Sequence, residues 1–284
     1  MTSFPRLPAF VIGCWHAAFL VATATGAALL PDQAAAHEFW IAPNQAVVAP
    51  GSIVSLELKV GEMMLGSDYP YLSSKFRSFT VTTPKSTRAA DGIEGDVPAY
   101  SYKASTPGLH IAALQTLPLP VTFETLDAFR DYLAYEGLAA VLEEHARRGL
   151  PQSDISEHYI RCAKALVQVG APIAGDVDRP IGLPIELVVD GNPYSGENRE
   201  ITVQLLWQGN PLANRQISVF RHDGTVTRAL ATTDDAGQAK VDVSRGGRFL
   251  LNAVHIDADG SGESMWRSHW ASLTFELPLK ALQD

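Results

Sequence analysis

The chain has 284 residues, 46% of them hydrophobic and 19% charged, with a formal net charge of −9. That is enough to bury a sizeable core as one large or two modest domains. The acidic balance excludes the basic face that a nucleic-acid partner requires.

The first 36 residues read as a signal peptide. Arg6 precedes a long apolar run from Ala9 to Leu30, and Pro31 ends it. Ala34-Ala35-Ala36 supplies the small-x-small pattern that signal peptidase reads, so cleavage falls after Ala36 and the processed chain begins at His37. Arg6 and Asp32 cancel, so processing leaves the charge at −9. Retention of the run as a membrane anchor is the alternative. Val11-Ile12-Gly13-Cys14 resembles a lipoprotein box, but it precedes most of the apolar run instead of following it. No later stretch reaches the ~18 apolar residues of a membrane span. Of the two cysteines, Cys14 leaves with the leader, so Cys162 has no intrachain partner. These features place the protein in the periplasm.

Beyond the leader, near-alternation over Ile53, Val54, Leu56, Leu58 and Val60 predicts a strand, entered through Ala49-Pro50-Gly51. Residues 61–74 are loop-rich. Further strands are predicted from Phe76 to Thr82 and over Leu109–Leu114, the second after the Pro107-Gly108 turn. Residues 37–121 thus read as an N-terminal antiparallel β-sandwich.

From Thr122 the pattern changes. Leu126, Phe129, Leu133, Leu138, Val141 and Leu142 recur at helical spacing, with Thr122 as N-cap, Gly137 as a break, and Gly149 and Pro151 as the stop. Ile155, Tyr159, Cys162 and Leu166 predict a second helix, so residues 122–169 read as a helical hairpin. A linker follows at 170–184, rich in Pro and Gly. Short strands at 185–189, 201–207, 216–221, 238–243, 248–255 and 266–277 predict a C-terminal immunoglobulin-like sandwich over 185–284. The expected fold is mainly β: two antiparallel sandwich regions with an inserted α-helical hairpin.

Several blocks resemble the NikM-like periplasmic family associated with nickel and cobalt uptake. They are His-Glu-Phe-Trp-Ile (37–41), Pro-Gly-Leu-His (107–110), the block ending Tyr-Ile-Arg-Cys-Ala-Lys-Ala-Leu-Val-Gln-Val-Gly (159–170), Ala-Val-His (253–255) and Trp-Ala-Ser-Leu-Thr-Phe-Glu (270–276). The resemblance runs in order through the processed chain and implies a role near metal acquisition, beside a membrane uptake system. Gly-Asn-Pro-Leu-Ala (209–213), Thr-Asp-Asp-Ala-Gly-Gln (233–238) and Gly-Gly-Arg-Phe-Leu-Leu (246–251) resemble transthyretin-like sandwich modules, which usually serve as structure.

The chemistry expected at His37 follows from processing. A terminal histidine offers its α-amine (pKa ~7.7–8) and imidazole (~6.5), which together chelate one metal ion near neutral pH. Nitrogen donors suit nickel, cobalt, copper and zinc; nickel or cobalt is favoured by the resemblance, and copper binds tightest by raw affinity. His110 and His255, each on a predicted strand and inside a matching block, are expected to complete the site. His145 reads as a solvated helix end and His222 as a turn residue. Met63 and Met64 read as loop packing.

Enzyme motifs are thin: no Gly-x-Ser-x-Gly, His-Glu-x-x-His or phosphate loop occurs. The reading is an exported metal-binding accessory protein, not an enzyme. A metal-free sandwich module that binds a protein or carbohydrate, with Trp207, Trp266 and Trp270 as a sugar platform, is one alternative. A copper-dependent oxidase is the other.

Overall fold

The structure is a computed structural model that describes Met1, residues 38–196 and residues 199–279. His37 and the leader therefore lie outside the described residues.

Nine strands come first: β1 (Glu38–Pro43), β2 (Val47–Val48), β3 (Ser52–Glu62), β4 (Leu65–Tyr69), β5 (Phe76–Thr82), β6 (Thr87–Ala89), β7 (Tyr100–Ala104), β8 (Gly108–Thr116) and β9 (Leu119–Thr125). Two helices follow, α1 (Leu126–Tyr135) and α2 (Ala140–Arg147), and then the long β10 (Ser153–Val169). The remaining strands are β11 (Ile185–Val189), β12 (Glu200–Trp207), β13 (Asn210–Pro211), β14 (Gln216–His222), β15 (Val226–Thr232), β16 (Gln238–Asp242), β17 (Gly247–Ala258) and β18 (Trp266–Leu277). The protein is mainly β, as the sequence predicts.

They form three layers. A large central sheet runs β15-β14-β17-β18-β10-β8-β5-β6, with β2 and β9 also pairing to β10. One of its faces is covered by β11, β12, β13 and β16, and the aliphatic core between them includes Leu109, Cys162, Leu187, Val203 and Leu251. The other face is shared. At one end β1, β3, β4 and β7 pack over Val81, Ala112 and Val167; at the other, the helices pack over Ile155, Val254 and Trp266. The strand period of two sorts side chains between these faces. Along β17, Asn252, Val254 and Ile256 face the helices, whereas Leu251, Ala253 and His255 face β12.

One predicted element is overturned. Residues 153–169 form β10, not a helix. This strand pairs antiparallel with β9 through Ser153–Tyr159 and with β8 through Leu166–Val169, and lies parallel to β18. The reason is burial on both faces. From Cys162 to Val169 every residue is buried, so apolar residues occupy both strand parities and the alternation that marks a half-buried strand disappears. The intervals between Ile155, Tyr159, Cys162 and Leu166 then imitate a helix.

The helical pair is accordingly shorter and lies within 126–147. Thr125, not Thr122, is the N-cap: its hydroxyl accepts from the Ala128 amide at 3.2 Å. Gly137 (φ 71°) closes α1, and Gly149 (φ 63°) takes the residue past the end of α2 as expected. His145 is not a solvated helix end; it is buried, with Nε2 2.8 Å from the Pro151 carbonyl and Nδ1 accepting from the Trp266 indole at 3.1 Å. Trp266 and Trp270 are core residues and offer no sugar platform. Met63 and Met64 both have positive φ in the β3–β4 turn and pack near Trp40.

A buried ion cluster ties β10 to the layer beneath it. Lys164 reaches Asp178 at 2.8 Å and Glu186 at 3.1 Å, and donates to the Arg179 and Leu187 carbonyls. Asp178 also accepts from the Val189 amide, and Glu186 from the amides of Ile181, Gly182 and Leu183. Each charge is thus fully partnered, which is the condition for burying it.

Candidate functional site

β1 carries the chain away from residue 37 along the inside edge of its sheet. It pairs with β3 from Glu38↔Gly61 to Pro43↔Leu56. Phe39 and Ile41 enter the core beneath that sheet, while Trp40 turns to the other side and packs on Phe220 and Leu250. Glu38 shares the parity of Trp40, so its carboxylate is driven into the protein immediately after the predicted start of the processed chain.

Glu38 is completely buried. Its Oε1 accepts from the Tyr135 hydroxyl at 3.3 Å, and its Oε2 has no hydrogen-bond partner among the described residues. Burial pushes its pKa up to about 7. Glu136 lies in the same pocket: Oε2 accepts from Asn252 Nδ2 at 3.3 Å, and Oε1 is again unpartnered. Burial, followed by the nearby Glu38 charge, pushes Glu136 up to about 8. Arg228 partly offsets both acids. Its guanidinium stacks on the Tyr135 ring at 3.8 Å and donates to the Tyr135 carbonyl at 2.8 Å. Gln216 donates to that same carbonyl, also at 2.8 Å, so the end of α1 is fastened onto β14 and β15.

Glu157 continues the acidic row beneath α1. It accepts from Tyr132 and from Ser268, its Oε2 is unpartnered, and burial pushes it up to about 7. Three buried carboxyls with three unsatisfied oxygens is an unusual load for one helix face. An isolated buried carboxylate resists ionisation, whereas a cation beside it reverses that preference. The row can therefore hold protons, or exchange them for a positive ion.

The histidines predicted to join His37 are not brought together. His110 lies on β8 facing the N-terminal sheet, with Nδ1 3.2 Å from the Tyr102 hydroxyl and Nε2 2.8 Å from the Thr106 carbonyl. Burial lowers its pKa, and both ring nitrogens are already partnered. His255 lies on β17 facing β12. It pairs across strands with His269, His269 pairs with Ile160 on β10, and His110 pairs with Val167 on β10. The path is three strand spacings across and seven residues along, roughly 14 Å by 23 Å. No single ion bridges that gap.

His255 instead sits in a second polar group. Its Nε2 is 2.8 Å from Asp257 Oδ2, and its Nδ1 is buried without a partner among the described residues. His269 directly opposite also has a buried, unpartnered Nδ1. Trp207 packs against both rings, at 4.5 and 4.7 Å between centroids. Burial lowers both pKa values, His269 to about 4 with help from His255 and Arg267. A cleft of about 750 Å³ opens beside them, lined by Trp207, Asp257, Arg267 and His269 among others. Both histidines are on the face of the central sheet opposite Glu38. Neither His269 nor the acidic row stands out in the sequence; the clue to His269 is its placement opposite His255, which appears only once β17 and β18 are in register.

Among the described residues, no helix is long and apolar enough to cross a membrane. No curated protein matches the chain. Among solved structures it is similar to the BSP domain of a biofilm-associated protein, at 11% identity over 85% of this chain and 30% of that one, with a TM-score of 0.19. It is also similar to a tetra-tandem repeat in the extending region of a large adhesion protein, at 12% identity, 84% and 49% coverage and a TM-score of 0.19. A marsupial T cell receptor matches at 8% identity, 82% and 73% coverage and a TM-score of 0.20. The chain spans under a third of the first and about half of the second. A family profile matches far more of the sequence, residues 34–257: the chain belongs to the family described as domain of unknown function DUF4198.

Proposed function

We propose that this is an exported, periplasmic metal-binding accessory protein that captures a divalent ion, nickel or cobalt first, at the N-terminus created by cleavage after Ala36. The observation that carries the reading is the buried carboxylate of Glu38, one residue from His37, with an oxygen that has no partner among the described residues. The NikM-like resemblance supports the same reading.

The amine and imidazole of His37 supply two nitrogens; Glu38, next in the chain, and Glu136 beside it are candidates for oxygen donors. Mixed nitrogen and oxygen donors suit nickel and cobalt, with copper as the competing ion. His110 and His255 have no part in this site. Both carboxyls are held protonated up to about 7 and about 8, so a divalent ion that uses them must displace protons. Capture then strengthens as pH rises through that window and weakens as it falls. Tyr135 from the end of α1 and Arg228 from β15 orient the pocket.

The test compares protein beginning at His37 with protein carrying one extra residue before it, titrated with Ni(II), Co(II) and Cu(II) and followed by thermal unfolding. A native-state ligand raises apparent stability, so the first should be stabilised and the second much less. Equal stabilisation of both refutes the terminal chelate. No stabilisation by nickel, cobalt or copper in either supports the metal-free sandwich module instead.

A further inference from the structure

His255 and the half-buried His269 stand side by side, each with a buried Nδ1 that has no hydrogen-bond partner among the described residues, and this calls for an explanation. In His255 the tautomer is settled by its neighbour. Asp257 Oδ2 is a carboxylate oxygen and accepts, so His255 Nε2 carries the proton and donates it at 2.8 Å. Burial favours the neutral ring. Its Nδ1 is therefore a bare lone pair, buried and unpartnered. A histidine that donates one ring N–H to a carboxylate while presenting the other nitrogen bare has the outer-shell arrangement of a metal ligand.

His269 provides the second donor. It stands directly across from His255 in the β17–β18 ladder, where side-chain Cβ atoms are ~5 Å apart. Its Nδ1 is also buried and unpartnered. Two metal–nitrogen bonds of about 2 Å each span a separation that such a pair can close by side-chain rotation. Trp207 closes the site, its indole packed on both rings.

We propose that His255 and His269 form a two-imidazole site for a soft monovalent metal ion, Cu(I), separate from the N-terminal site. Three features select charge and type. The ladder sets two imidazole donors side by side, which suits a d10 ion that accepts linear two-coordination and leaves Zn(II) or Ni(II) two ligands short. No group of three or more His, Cys, Asp or Glu suited to a metal occurs among the described residues. Asp257 places a carboxylate on the His255 ring, while Arg215 and Arg267 nearby disfavour any higher positive charge at the pair. An indole face attracts a cation within about 6 Å. The adjoining cleft, whose lining includes His269 and Asp257, gives the ion a route in.

The experiment uses His37→Ala protein, which lacks the N-terminal chelate, so the two proposals fail separately. Ag(I), a redox-inert stand-in, and Cu(I) buffered anaerobically by a chromogenic chelator are the probes. The expected result is one ion per chain, with indole fluorescence quenched in step. Adding His269→Gln or His255→Gln should weaken binding by about a hundredfold or more, and Asp257→Asn by about tenfold. Thermal unfolding of each variant without metal establishes that it is folded, and the exposed Asp257→Asn keeps the test open should a histidine variant misfold. Failure of His37→Ala protein to bind Cu(I) or Ag(I), or undiminished binding by all three further variants, overturns the proposal; a water bridging two lone pairs is then the occupant. Preference for Ni(II) over Cu(I) at this pair also overturns it.

Discussion

Replacing Glu136 by Gln tests whether the acidic row beneath α1 is a cost that the metal-free protein bears. Glu136 is almost fully buried, and burial is the first cause of its raised pKa, about 8 against 4.5 for a free carboxyl. The folded state thus binds the proton more tightly than the unfolded chain. Its stabilising contribution is complete below about pH 4.5 and is lost as pH climbs from there through about 8. At ~1.4 kcal/mol per pH unit, the span sets a ceiling on the order of 4–5 kcal/mol, and water entry and relaxation reduce this to about 2–4. Gln keeps the shape and the acceptor for Asn252 but cannot ionise. Glu136→Gln without metal should therefore melt about 5–10 °C above the parent at pH 8.5 and within about 2 °C of it at pH 5. Differential scanning calorimetry at the two pH values reads this directly. Equal pH dependence in both proteins would show that Glu136 ionises at no penalty, and the account of the row as a proton-or-cation store would fall.

Other perturbations probe the frame. Lys164→Met leaves Asp178 and Glu186 buried without their counter-charge and should cost about 3–5 kcal/mol in urea unfolding; a loss under about 1 would mean that the backbone amides alone carry both carboxylates. Cys162, buried and with its thiol pushed up to about 12, should react with a thiol reagent only as fast as the protein unfolds; rapid labelling of native protein contradicts that burial. A methyl group at Gly66 would stand 2.6 Å from the Trp40 ring and 2.7 Å from the Val60 carbonyl. Gly66→Ala should cost about 1–3 kcal/mol by the same unfolding assay, and an unchanged midpoint would show that the β3–β4 hairpin yields freely.

Much of the fold can be read from the chain, and the failures lie at the two extremes of strand burial. Strands buried on a single face, such as β3 and β16, announce themselves by alternation, and the predicted limits of β5 and β18 match. β10 does not, because coverage on both sides removes the polar parity. β15, which alternates weakly around Arg228 with an exposed Leu230, was passed over for the opposite reason: an edge strand buries too little. The site divides similarly. His37 is legible because processing chemistry is written locally in Ala34–Ala36. His110 looked like a ligand because a strand histidine among apolar residues has the same sequence whether its nitrogens meet a metal or Tyr102 and Thr106. Pairing His255 with His269 needs the register of two strands, and the acidic row needs α1 folded onto β1 and β17.

The parallel contact between β10 and β18 also governs the order in which the protein can assemble. Glu157↔Trp266 joins positions separated by about a hundred residues, so its formation carries the entropy of closing a long loop. Until β18 has been delivered, β10, buried throughout from Cys162 to Val169 in the finished fold, lacks its neighbour on that side and exposes an open hydrogen-bonding edge. Such non-local pairing folds slowly and favours aggregation of incomplete chains. A chain truncated in the 170–184 segment should therefore yield not a stable half but an insoluble fragment, and the intact protein should unfold in a single step.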